Sequence, residues 1–224
     1  LAPAELPKEG SRFDLAIALG ILLASEQLQC DHLDQFEFIA ELSLSGELRY
    51  VNGLIPALIA AEHQRSVWVA KANSEEASIP LSTPTLEASH ILEVCAHLNG
   101  SHVITPSDKK AFTSHRSAVG DLAEVAGQPL AKRALEIAAA GGHNLLLIGP
   151  PGTGKTMLAS RILSITPPLS QRSALSVAAI QSLRGRQLVL GELGQKPFRA
   201  PHHTASAIAM VGGGSHPKPG EISL

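Results

Sequence analysis

Between Gly149 and Thr156 the chain reads GPPGTGKT, which fits G-x-x-x-x-G-K-[ST] at every fixed position. Gly149, Gly152 and Gly154 let the main chain curl until its N–H groups point inward at a phosphate. Pro150, Pro151 and Thr153 fill the variable positions. A helix beginning near Lys155 adds the positive end of its dipole. In such a loop Lys155 reaches the β- and γ-phosphates, and the Thr156 hydroxyl completes the coordination of Mg²⁺. The expected cofactors are therefore ATP and Mg²⁺. A second stretch, LPKEGSRFDLAIALG from Leu6 to Gly20, offers a different chemistry. There a glycine precedes the hydroxyl of Ser11 and an apolar helix follows, as at a nucleophile's elbow.

Both stretches need elements to position them. The apolar run NLLLIG, Asn144 to Gly149, reads as a strand buried on both faces, the kind a parallel sheet uses. Pro129 to Ala140 reads as a helix. In the first half, helices are expected over 14–25, 54–64 and 85–98. Strands are expected over 36–44, 47–51 and 66–70, with a tight turn at Ser45-Gly46 joining the first two. Residues 100–120 are rich in Ser, Thr, Gly and charge and lack any period, which is linker composition. The expected organisation is a domain at 1–99, a linker at 100–120 and a second domain at 121–224.

The formal net charge of −2 hides a division. Residues 1–100 carry five basic against fourteen acidic residues, and residues 101–224 carry thirteen against six. A polyanionic partner therefore belongs with the second half. Arg172, Arg184, Arg186, Lys196 and Arg199 are concentrated in one stretch, with Glu192 opposing. That stretch is either a solvated hairpin or an insert that touches a polyanion; Arg184, Arg186, Lys196 and Arg199 are the candidate DNA contacts. The acids of the first half read as solvated faces, and Trp68 and Tyr50 as core or rim. Cys30 and Cys95 lack CxxC spacing and read as reduced thiols of a cytoplasmic protein. The apolar run over 15–24 is too short for a bilayer, which takes ~20 residues, so no membrane association is expected. The adjacent His202 and His203 have no Cys or carboxylate cluster beside them and read as polar residues, not metal ligands.

The segment DLAEVAGQPLAKRALEIAAAGGHNLLLIGPPGTGKT, Asp121 to Thr156, resembles the opening of an AAA+ ATPase module. The segment KPFRAPHHTASAIAMVGGGSHPKPGEISL, Lys196 to Leu224, is similar to the stretch before Walker B in magnesium-chelatase-like AAA+ proteins of the ComM (YifB) group. The resemblance implies an α/β P-loop module with a parallel sheet. It sets Val125, Ala126, Gly127 and Gln128 close to the adenine; Val125, Gly127 and Gln128 join the loop as candidate nucleotide contacts. It also implies a homo-oligomeric ring, expected to be a hexamer, and a motor in branch migration of DNA during natural transformation. In the family an apolar strand ending in Asp-Glu holds Mg²⁺ and polarises water. That strand is expected beyond Leu224, and LVLGEL, Leu188 to Leu193, has Gly191 where its Asp would stand. Hydrolysis by this stretch alone is therefore not expected. A metal-chelatase subunit shares the insert and is an alternative reading.

The first half resembles the proteolytic domain of Lon-type proteases, an α+β fold, here without its first strands. The Lon pattern reads Pro-Lys-Asp-Gly-Pro-Ser-Ala-Gly. Aligned from Pro7 to Gly10, the nucleophile's position is Arg12 and Ser11 falls on the preceding proline. The general-base lysine belongs where Ile55 stands, in Asn52-Gly53-Leu54-Ile55. A Ser–Lys dyad needs an amine that accepts the hydroxyl proton, and isoleucine has none. Lys8 lies outside the dyad in the family pattern. The alternative of an ATP-dependent peptidase therefore fails on Arg12 and Ile55, and a protein-remodelling ATPase stays as an alternative to the DNA motor. Casein digestion should be absent, and a digestion lost specifically in Ser11→Ala would overturn the dyad argument.

Overall fold

The computed structural model describes residues 10–61, 65–112, 120–202, 204–213 and 218–223. Two compact units result, one of Leu1–Phe112 with Ala178–Leu190 and the other of Thr113–Val177 with Gly191–Leu224. Lys8, His203 and Leu224 lie outside the described residues, as do 113–119 of the expected linker.

The first unit contains α1 (Asp14–Ala24), β1 (Phe36–Ile39), β2 (Glu41–Leu42), β3 (Leu48–Arg49), α2 (Leu54–Ala60), β4 (Ser66–Ala70), α3 (Ser74–Ala77), β5 (Thr85–Ala88) and α4 (Ile91–Leu98). The three longer strands form a parallel sheet in the order β1-β4-β5, with Phe36 opposite Ser66 and Val67 opposite Thr85. Central β4 is apolar because it is covered on both sides. Its alternation divides the side chains between two cores. Trp68 and Ala70 pack with Leu15, Leu19, Val94 and Leu98 from α1 and α4. Val67 and Val69 pack with Leu54 and Leu58 from α2. Cys30 and Cys95 are free thiols at the edge of the first core.

Three expectations for this half need correction. The single strand over 36–44 is broken at Ala40, whose N–H donates to Arg12 O and whose carbonyl accepts from Leu15 N. That pairing with the entry to α1 takes Ala40 out of the sheet ladder. The helix expected over 85–98 is a strand followed by a helix. β5 pairs with β4, and His90 caps α4 by accepting the Leu92 N–H on Nδ1 at 3.1 Å. The acids are not all solvated, since Glu76 is 2% exposed. Within the segment read as linker, residues up to 112 run beside β5: Ser107 N donates to Thr85 O at 2.8 Å, and Lys109 Nζ donates to Ala77 O at 2.7 Å.

The second unit holds α5 (Pro129–Gly141), α6 (Lys155–Ile165), the start of α7 (Gln171–Leu183), α8 (Ala207–Val211), and the pair β6 (Gly212–Gly213) and β7 (Lys218–Pro219). Leu122, Val125, Leu135 and Leu158 make its core, with Leu147, Ile162 and Ile165 against them. The run over 144–149 is not a strand, and Leu146 and Ile148 are 80% and 88% exposed. A ladder needs a neighbouring strand, and among the described residues of this unit none lies beside it. The parallel sheet described here is that of the first unit. The stretch expected as an insert hairpin from Arg172 to Arg199 contains α7 and a 3-10 turn at Leu190–Glu192. Among the described residues no helix is long and apolar enough to cross a membrane.

A buried polar lock joins β3's exit to α3. Asn73 accepts the Val51 N–H and donates to the Val51 carbonyl, each at 3.0 Å. Tyr50 Oη donates to Glu76 Oε1 at 2.6 Å, and Asn73 Nδ2 donates to Glu76 Oε2 at 3.3 Å. Burial pushes the Glu76 carboxyl above its ordinary value of 4.5, and its hydrogen-bond donors oppose that rise. The folded chain therefore holds this proton more tightly than the unfolded chain. The stabilisation is complete below about pH 4.5 and is lost as pH rises through the folded value. Urea denaturation between about pH 4 and 8 should show Glu76→Gln with less of this decline than the wild type. An identical decline in both would remove Glu76 as its source.

Candidate phosphate-binding site

The loop turns where the glycines permit it. Gly152 and Gly154 have φ of 80° and 82°, in the left-handed region that a side chain makes costly. Gly154 is the N-cap of α6, and its carbonyl accepts the Leu158 N–H at 2.9 Å. The helix thus begins at Lys155, and the first N–H groups of a helix have no intrahelical acceptor. An atom added to Gly152 would meet nothing within 4 Å, so the space before the loop is open.

Lys155 folds back into the loop. Its Nζ donates to Gly149 O at 2.7 Å, to Pro150 O at 2.6 Å and to Thr153 Oγ1 at 3.3 Å. Thr153 Oγ1 in turn donates to Pro150 O at 2.9 Å. The three donors of the ammonium therefore have three acceptors within the loop. Pro151 and Thr156 are exposed on the same turn. An ammonium, a helix start and a concave main chain are complementary to a phosphate. The residues present fit a nucleoside triphosphate with its metal ion.

The segment read as lying near adenine is fastened to the same helix. Leu122 N donates to Ser164 Oγ of α6 at 3.1 Å, and Arg161 of α6 pairs with Glu124 at 3.4 Å. Val125 is buried in the core with Leu135 of α5 and Leu158 of α6, and its N–H donates to Leu122 O at 3.2 Å. Gly127 and Gln128 have φ of 67° and 56°, and both are exposed where α5 begins. Sequence reasoning missed Ser164 and Arg161. Their role depends on a segment about forty residues earlier, and no local pattern announces it.

The candidate DNA contacts do not form one group. Arg184 and Arg186 are exposed residues of Ala178–Leu190, which belongs to the first unit. Lys196 and Arg199 belong to the second unit. Arg199 is engaged by Glu221 through Nε at 2.7 Å and Nη2 at 2.6 Å. His202 Nδ1 is 2.7 Å from Thr204 Oγ1, and no cluster of three metal-ligating side chains occurs among the described residues. In the first half, Ser11 Oγ donates to the Glu41 carboxylate, and Ile55 is 1% exposed.

Comparisons with known proteins identify the family of the chain. The model described as magnesium chelatase, subunit ChlI, matches residues 121–224, and a second, described as subunit ChlI of Mg-chelatase, matches residues 1–73. The chain belongs to the magnesium-chelatase-like proteins of the ComM (YifB) group, an AAA+-related family. It is 52% identical to competence protein ComM of Haemophilus influenzae over all of this chain and 45% of that protein. It is 52% identical to YifB of Escherichia coli, covering 44% of it, and 41% identical to an uncharacterised protein of Mycobacterium tuberculosis, covering 45%. The chain thus spans a little under half the length of these relatives.

Proposed function

We propose that this chain is the nucleotide-binding part of a cytoplasmic, ring-forming AAA+ motor, a hexamer, that acts on DNA. The observation that carries the reading is the loop from Gly149 to Thr156, with Lys155 inside it and α6 starting behind it. Gly149 to Lys155 would hold the phosphates and Thr156 the Mg²⁺; Val125, Gly127 and Gln128 would border the base. The bound Mg²⁺ would neutralise phosphate charge. Similarity to a protein named for competence supports a role with DNA, as does the basic balance of the second half. The peptidase alternative is disfavoured, since buried Ile55 can accept no proton and Ser11 is tied to Glu41. A chelatase-type subunit is the second reading, supported by the description of the matched family models.

Binding of ATP must draw Lys155 Nζ off the Gly149 and Pro150 carbonyls, which offsets part of the new phosphate contact. Lys155→Ala should still lose roughly 1.5–3 kcal/mol of a charge-assisted hydrogen bond. Isothermal calorimetry with ATP and Mg²⁺ measures it, and equal affinity in wild type and variant would remove the loop from the site. For DNA, phosphate contacts release counterions, with a log–log salt slope of ~−0.9 per phosphate neutralised. Lys196→Ala should reduce the slope by about one, whereas Arg199→Ala should change it less because Glu221 already holds that guanidinium. A slope unchanged in every variant at Arg184, Arg186, Lys196 and Arg199 would favour a motor that does not meet DNA through these residues.

A further inference from the structure

Arg161 lies on α6, the helix that the phosphate loop opens, and its side chain reaches Glu124 and Gly120. Nη2 meets the Glu124 carboxylate at 3.4 Å, and a Cβ added at Gly120 would lie 2.8 Å from Arg161 Cζ. Glycine there leaves room for the guanidinium. Arg161 Nε is buried and has no acceptor among the described residues. An unpaired buried N–H is costly, so the other contacts of this side chain hold it in place. Its main chain works on the same segment. Ser164 Oγ donates to the Arg161 carbonyl at 2.8 Å and accepts the Leu122 N–H at 3.1 Å. The 3-10 turn Leu122–Glu124 is thus tied to Arg161 at its start through Ser164 and at its end through the ion pair.

The turn is also closed within itself. Asp121 Oδ1 accepts the Ala123 N–H at 3.0 Å, and the Glu124 N–H donates to Asp121 O at 3.1 Å. Val125 follows directly and packs with Leu158, which lies in the first turn of α6 after Lys155. Ala126, Gly127 and Gln128 are then exposed, and the Gln128 carbonyl accepts the Lys132 N–H at 3.0 Å as α5 begins. The exposed piece hangs between a clamped turn and a helix start. Releasing the turn from α6 would let that piece move, while the loop braced by Lys155 Nζ would keep its shape.

We infer that Arg161, acting through Glu124 and Ser164, is the positioning residue that sets residues 125–128 for the base of a bound nucleotide. In this role it touches neither base nor phosphate; it fixes where the segment stands against α6. A displaced segment lowers the fraction of molecules in the binding-competent form, and apparent affinity falls by that fraction. The inference rests on the nucleotide reading given above and deepens it: the base side of the site can be weakened while the phosphate side is kept.

Isothermal calorimetry on the full chain compares two ligands, ATP and inorganic tripolyphosphate, each with Mg²⁺. Tripolyphosphate offers phosphates without a base. Arg161→Ala should weaken ATP about fivefold, the upper range for a partly exposed ion pair, and leave tripolyphosphate within about twofold. Glu124→Ala removes an exposed carboxylate, and Gly120→Ala pushes the pair aside without changing any charge. Both should lower the ratio of ATP to tripolyphosphate affinity in the same direction, and they keep the test standing should Arg161→Ala fail to fold. Because the pair acts as one clamp, Arg161→Ala/Glu124→Ala should lower the ratio no further than Arg161→Ala alone. A general loosening of the second unit would instead weaken both ligands alike. An equal loss for both ligands in Arg161→Ala, or an unchanged ratio in Glu124→Ala and Gly120→Ala, overturns the inference while the nucleotide reading stands. Binding of neither ligand to the wild-type chain removes the nucleotide reading, and the inference with it.

Discussion

The ammonium of Lys155 braces the phosphate loop from within. Its hydrogen bonds to the carbonyls of Gly149 and Pro150 join the entry of the loop to the residue that begins α6. Everything around it serves that geometry. Left-handed turns at Gly152 and Gly154 bring the chain round, and Leu158 seats the first turn of the helix in the core. Ser164, further along the same helix, receives the segment that leads to Gly127 and Gln128. The two candidate halves of a nucleotide site are thus hung from one helix. A bound phosphate would replace the carbonyls as partners of the ammonium, so the residue that braces the loop would also report phosphate binding.

In the first unit a short loop is held from two sides by buried hydrogen bonds. Ile55 is buried, and Gly53, two residues earlier, gives its N–H to Ser182. Asn73, Glu76 and Tyr50 hold the adjoining main chain by hydrogen bonds. Leaving such buried groups unpaired costs about 1–3 kcal/mol each, which makes the loop rigid. A rigid loop with a free donor is a good receptor for the end of a helix.

The readable parts of the sequence were those whose cause is local. The phosphate loop is legible because glycine spacing alone sets where the main chain can turn left-handed, and α6 follows from it. β4 is legible because four consecutive residues, Val67 to Ala70, are all apolar. β5 was missed because Thr85 to Ala88 is short and runs almost directly into α4, whose cap is a histidine and not one of the usual small polar residues. The run over 144–149 was misread for the opposite reason: apolarity marks a strand only when a partner lies beside it. α7 was hidden by attention to its charges, although Ser170 accepts the Ser173 N–H as a helix cap does. Glu75 and Glu76 look alike in sequence; their different burial is decided by Tyr50, which arrives from another part of the chain.

The central claim is that the loop from Gly149 to Thr156 receives phosphate through its main chain and Lys155. Amide-resolved NMR of the full chain during titration with ATP and Mg²⁺ tests it most directly. The account expects the N–H resonances of Gly152, Gly154, Lys155 and Thr156 to move first and farthest, saturating together with those of Gly127 and Gln128, while the amides of β4 stay in place. Shifts absent from the loop at saturating nucleotide, or confined to the first unit, would contradict it.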